Sequence, residues 1–91
     1  MVKSGNSTIV RSAARALDVL EIVVQAEKAP TFTMIQKASG IPKSSLSYLM
    51  QELMQKRYVQ YDPESKVYYP GLALLALSAE CMSTTNFSGE L

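Results

Sequence analysis

The chain has 91 residues, 47% of them hydrophobic and 19% charged, with a net charge of +1. That is enough for one compact core and too little for two. The lone Cys81 excludes an intramolecular disulfide, and with no histidine present no zinc-ligand set can be assembled, so neither metal nor cofactor is expected.

No run approaches the roughly 18 to 20 apolar residues of a membrane span, and the opening MVKSGNST lacks the apolar stretch of a secretory signal. The expectation is a soluble cytoplasmic protein with no membrane partner. Charge is unevenly spread. Met1 to Arg57 carries eight Lys and Arg against four Asp and Glu, whereas Tyr58 to Leu91 carries one against four. The first part is the basic part.

In chain order, residues 1–11 are small and polar and read as a disordered lead-in. Ala13, Ala16, Leu17, Leu20, Val23 and Val24 then recur at helical spacing, with Arg15, Asp18, Glu21 and Gln25 opposite, which predicts an amphipathic helix ended by Ala29-Pro30. Val19 and Ile22 widen its apolar arc. A neighbouring helix or a partner subunit would fill that extra width.

Thr33 and Gln36 match a capping box, predicting a second helix over Met34–Ser39. Gly40 suits a left-handed exit, Ile41 buries the turn, and Pro42 suits the start of a third helix over 43–56. There Leu46, Leu49, Met50, Leu53 and Met54 form the inward stripe. At about 100° per residue, Ser44, Tyr48, Gln51 and Gln55 are left outside, flanked by Ser45 and Ser47. Met34, Met50 and Met54 are assigned to the core.

Tyr58–Tyr61 and Lys66–Tyr69 are β-prone runs joined by Asp62-Pro63-Glu64-Ser65, a type I turn signature. Pro70-Gly71 stops this hairpin. A helix from Leu72 to about Met82 follows, with Leu72, Leu75, Ala79 and Met82 on a stripe, and Ser83-Thr84-Thr85-Asn86 breaks it. The order of elements predicts a mainly α fold with a small β-hairpin: a winged helix-turn-helix of three core helices plus wing over 12–71, then a linker helix within 72–91. In such a fold the second helix of the pair enters the major groove of DNA and the hairpin leans on the backbone.

Ser12-x-x-Arg15-Ala16-Leu17-Asp18-Val19-Leu20, Ala38-Ser39-Gly40-Ile41-Pro42-Lys43-Ser44-Ser45, Leu53 leading into Tyr58-Val59, and Asp62-Pro63-Glu64-Ser65 with Tyr68 and Gly71 together resemble the N-terminal domain of the IclR family of bacterial transcription regulators. The resemblance implies a homodimeric or tetrameric regulator on a palindromic operator. It also implies a small-molecule effector held by a further domain, whose start would lie at the end of 72–91 and which is otherwise missing.

The family's contact positions fall on Lys43, Ser44, Ser45, Ser47 and Tyr48, overlapping the outward face derived above. With Thr33, Gln51 and Lys66 these make the candidate DNA-binding set. Where the family often has His-Arg this chain has Ser47-Tyr48. Where it favours glycine this chain has Arg57, and the usual Gly-Arg of the wing tip is Lys66-Val67.

Each candidate has a plainer role to weigh. Serines are ordinary residues at a helix start, but their hydroxyls also donate and accept toward phosphates and base edges. Tyr48 has no core role on the outer face of a helix whose inner face is full. Lys43 opposes the helix dipole unless an anion sits there. Lys28, Lys37, Lys56 and Arg57 read as solvated surface charges. Val19, Ile22, Leu72, Leu75, Ala79 and Met82 are the candidate dimerisation residues. No paired carboxylates or nucleophile and base appear, so no catalytic residue is assigned. The competing readings are a winged helix that docks proteins without reading DNA, and a helical dimerisation module dominated by the last helix.

Overall fold

The computed structural model describes residues 10–83. They form α1 (Arg11–Gln25), α2 (Phe32–Ser39), α3 (Lys43–Gln55), β1 (Val59–Asp62), β2 (Val67–Pro70) and α4 (Leu72–Ser83). The strands make an antiparallel pair with Val59 opposite Pro70 and Asp62 opposite Val67. This is the expected winged helix-turn-helix order. Most of the expected lead-in over 1–11 lies outside the described residues, as does the chain after Ser83.

One core joins the three helices to the wing. Val19 and Val23 of α1, Ile35 of α2, Ile41 of the turn, Leu46, Met50 and Leu53 of α3, and Val59 and Tyr68 of the hairpin are all buried. Each such side chain contributes about 1.5–3 kcal/mol relative to leaving it exposed. The hairpin is fastened twice more: Tyr68 N–H donates to the Pro30 carbonyl at 2.9 Å, and the Tyr68 ring meets its cross-strand neighbour Tyr61 at 4.7 Å between centroids. Burial raises the Tyr68 phenol above its ordinary pKa, and Tyr61 adds to the rise.

Several expectations are corrected. Val19 is completely buried against α2 and the wing, which removes it from any dimer surface, and Ile22 is half-buried beside the same core. The apolar arc of α1 is centred on the Val19–Val23 edge, leaving Leu17 and Val24 exposed. That helix stops at Gln25, where Ala26 turns extended, rather than at Pro30. Thr31 caps α2, not Thr33: its Oγ1 accepts from Met34 N–H at 3.2 Å. The residue three beyond Thr31 is Met34, so no reciprocal capping box forms, and the earlier start leaves Met34 exposed rather than in the core. The strands run one residue later than predicted, because Tyr58 closes the end of α3 with its N–H and Lys66 belongs to the turn.

The end of α3 is a Schellman motif with arginine in the glycine position. Arg57 is left-handed, with φ 66°. Its N–H donates to the Met54 carbonyl, and Tyr58 N–H reaches back to the Leu53 carbonyl at 2.9 Å. The exposed carbonyls of the motif then hold the start of α4: Gly71 N–H donates to Tyr58 and Ala73 N–H to Arg57, each at 2.9 Å. Gly71 has no room for a side chain, since a Cβ would collide with the Arg57 carbonyl oxygen and come within 2.8 Å of the Tyr58 carbonyl carbon.

These two positions respond oppositely to substitution. Arg57→Gly relieves a left-handed side-chain conflict and is expected to stabilise the fold by about 1 kcal/mol. Gly71→Ala forces backbone apart and is expected to destabilise it by about 2–4 kcal/mol. Urea unfolding of the two variants beside the parent checks both signs.

Candidate nucleic-acid interface

Two faces of α3 divide the work. Leu46, Met50 and Leu53 seat the helix in the core, while Ser44, Ser47, Tyr48, Gln51 and Gln55 are exposed on the other side. Tyr48 is 75% exposed, the largest value among the exposed large apolar and aromatic side chains of the described residues. The hydroxyls of Ser44, Ser45 and Ser47 make no hydrogen bond to any described residue. They are available to an outside partner.

The start of α3 has the electrostatics of an anion site. Gly40, left-handed at φ 73°, ends α2 by donating its N–H to the Gln36 carbonyl, and the chain turns through buried Ile41. Pro42 then precedes α3 without any side-chain cap, and no acidic residue lies in the first turn. The leading N–H groups therefore lack side-chain partners, and the positive end of the helix dipole sits beside exposed Lys43. From Thr31 through Gln51 the chain has no acidic residue and two lysines. The face is mildly basic although the whole chain is nearly neutral.

The structure adds two residues to this face. Ser12 and Arg15 at the start of α1 line a depression of about 340 Å³ together with Ser45, Tyr48, Leu49 and Glu52. Helical periodicity put Arg15 only on a polar stripe, because the approach of α1 to α3 is a tertiary fact. Ser45 is half-buried in this depression rather than fully outward. Thr33 is exposed in the first turn of α2.

Lys66 stands apart from these residues at the wing tip, just beyond the Asp62–Val67 pair, which is roughly 10 Å along the strands from the Val59–Pro70 pair. It too is left-handed, φ 62°. Thus both places where the resemblance led one to expect glycine, 57 and 66, have the backbone that glycine favours. The Ser65 hydroxyl first, and then the Glu64 N–H, hold the Asp62 carboxyl below the usual carboxylate range. A depressed acid of this kind supports the turn above its unfolded pKa and loses that support as pH falls through the folded value.

Among the described residues no three His, Cys, Asp or Glu side chains converge as a metal site. No described helix is long and apolar enough to cross a membrane.

Known proteins agree with the geometry. The sequence profile of the IclR helix-turn-helix domain matches residues 12–63. Among solved structures, an IclR transcriptional regulator from Alicyclobacillus acidocaldarius superposes with a TM-score of 0.76 at 28% identity, over 85% of this chain and 31% of that one. An IclR family transcriptional regulator from Brucella abortus gives 0.76 at 26% identity, over 94% and 33%. HmgR of Pseudomonas aeruginosa shares the fold, with a TM-score of 0.74 at 21% identity, over 85% and 32%. The chain thus spans about a third of the length of these proteins. Among curated proteins none matches. With more than half of the chain matched and the α2–turn–α3–wing geometry in place, the chain belongs to the IclR helix-turn-helix family, the DNA-binding domains of transcription regulators.

Proposed function

We propose that this chain reads a palindromic operator in double-stranded DNA by laying α3 in the major groove, as part of a dimeric or tetrameric cytoplasmic regulator. The observation that carries the reading is the outer face of α3: an exposed tyrosine and unengaged serine hydroxyls on a helix whose opposite face is anchored in the core. In this reading Lys43 and the first N–H groups of α3 take a phosphate, and Ser44, Ser47, Tyr48 and Gln51 meet base edges. Thr33, Ser45 and the newly adjacent Ser12 and Arg15 line the flanking backbone, and Lys66 holds a phosphate from the wing. Residues 12–71 form the reading unit. From Leu72 the chain is a linker toward a further, effector-binding domain, through which a small molecule would act.

Pairing follows from what one copy can neutralise. A single winged helix meets few phosphates, so specificity needs two copies whose α3 helices reach successive major grooves on one face of the duplex. The surface of α4 supports this. Leu72, Leu75, Leu77 and Met82 are all more than half exposed, and no residue of α4 is buried. A helix apolar on several sides is ordinarily covered. Leu72, Leu75, Ala79 and Met82 remain the proposed contact stripe, and on α1 the exposed Leu17 replaces Val19.

Tyr48→Ala is expected to weaken operator binding by about 1–3 kcal/mol and leave binding to unrelated duplex nearly unchanged; fluorescence anisotropy on both duplexes checks this. Lys66→Ala is expected to weaken binding to every sequence and to lower the salt slope by about one, read from the same titration across a salt series. Because isolated three-turn helices are marginal, the chain is expected to be a weak, concentration-dependent dimer that tightens on a palindromic site. Sedimentation with and without the duplex checks the assembly, and a strict monomer forming a 1:1 complex on a full palindrome would contradict it.

A further inference from the structure

The wing tip holds a charge pattern that phosphate binding alone does not explain. Asp62, Glu64 and Lys66 alternate along five residues, so two acids accompany the single base. A carboxylate beside a phosphate is unfavourable, and its retention calls for a use inside the protein. At Asp62 that use is visible. One carboxylate oxygen, Oδ1, accepts the Glu64 N–H at 3.0 Å and the other, Oδ2, accepts the Ser65 hydroxyl at 2.7 Å. The Asp62 carbonyl accepts the Lys66 N–H at 2.6 Å. Pro63 pre-sets the backbone angle of the first turn residue.

The element that this network closes upon is the strained one. Lys66 is left-handed at φ 62°, a conformation in which an L side chain crowds the following carbonyl and which persists only where the surroundings over-determine it. Elsewhere in the described chain the left-handed non-glycine is Arg57, whose conformation the Schellman bonds enforce. At the exposed wing tip there is no packing to do so. There the backbone bond from Lys66 N–H to the Asp62 carbonyl closes the turn, and the Asp62 side chain ties down Glu64 and Ser65 within it.

We propose that Asp62 is a positioning residue for DNA binding: by gripping Glu64 N–H and Ser65 Oγ it holds Lys66 left-handed and so aims the wing's one ammonium at the duplex backbone. This rests on the wing contact proposed above. Asparagine offers the same turn without the charge, since its Oδ1 accepts from Glu64 N–H and its amide donates to Ser65 Oγ. Alanine offers neither bond.

The test uses the whole chain and a mixed-sequence duplex, titrated by anisotropy over a salt series, with Asp62→Ala, Asp62→Asn, Lys66→Ala and the Asp62→Ala/Lys66→Ala double variant. The backbone angle of Lys66 in the free protein is read from its amide to Hα scalar coupling. Asp62→Ala is expected to bind about fivefold more weakly, to lose about one from the salt slope as Lys66→Ala does, and to shift the Lys66 coupling. The double variant is expected to be no weaker than Lys66→Ala alone, and Asp62→Asn to bind at least as well as the parent.

Additive losses in the double variant, parent-like binding by Asp62→Ala, or an Asp62→Asn as weak as Asp62→Ala would each overturn the positioning role. An unchanged slope in Lys66→Ala overturns the wing contact instead. In that case the proposal falls as a DNA-binding role, and the coupling still shows whether Asp62 sets the Lys66 backbone.

Discussion

The left-handed turn at Arg57 is the constraint on which the arrangement of wing and linker depends. Eight backbone groups from six residues meet there. Met54 and Leu53 carbonyls at the end of α3 receive the N–H groups of Arg57 and Tyr58, and the carbonyls of those same two residues receive the N–H groups of Ala73 and Gly71. The third helix, the first wing strand and α4 are thereby tied at one corner. The close approach needs a residue without a Cβ at 71. An arginine at 57 costs some stability and is tolerated because the surrounding hydrogen bonds leave the backbone no alternative.

From that corner the core does the rest. Tyr58 follows the turn as a half-buried neighbour of Leu53, and Val59 enters the core fully, so β1 leaves α3 in a fixed direction. The wing is then pinned from the far side by the bond from Tyr68 to Pro30, which uses the connection after α1 as a third, one-bond edge. A hairpin with two four-residue strands would be marginal alone. Packing against α1 and α3 is what makes it a rigid arm.

The surface proposed to face DNA obtains its character by omission as much as by charge. With a net charge of +1 the chain is no polycation, and the stretch from Thr31 through Gln51 instead combines an absence of acids with an uncapped helix start and neutral hydroxyls. Hydroxyls and an aromatic ring add less long-range attraction than arginines would and more short-range discrimination. Such a surface suits the paired binding proposed above, and α4 carries exposed Leu72, Leu75, Leu77 and Met82.

How much was legible in the sequence varied with the range of the interaction. Local rules were enough for the number and order of elements, the glycine exit at Gly40, the burial of Ile41 and the outward face of α3, because a helix fixes its own faces once its inward stripe is known. The family resemblance, not any local rule, marked 57 and 66 as positions where glycine would be usual, and both are left-handed. Local rules went wrong where two readings were locally equal. Thr31 and Thr33 are each able to cap a helix, and in the folded chain Thr31 does so, with Ile35 buried and Met34 exposed. On α1 the apolar arc was too wide to have a unique centre, and packing of the helix against α2 and β2 selected Val19 and Val23 for the core. That Ser12 and Arg15 join Tyr48 in one depression was decided by the tertiary structure alone, since it depends on how two helices thirty residues apart cross, and no local pattern encodes a crossing.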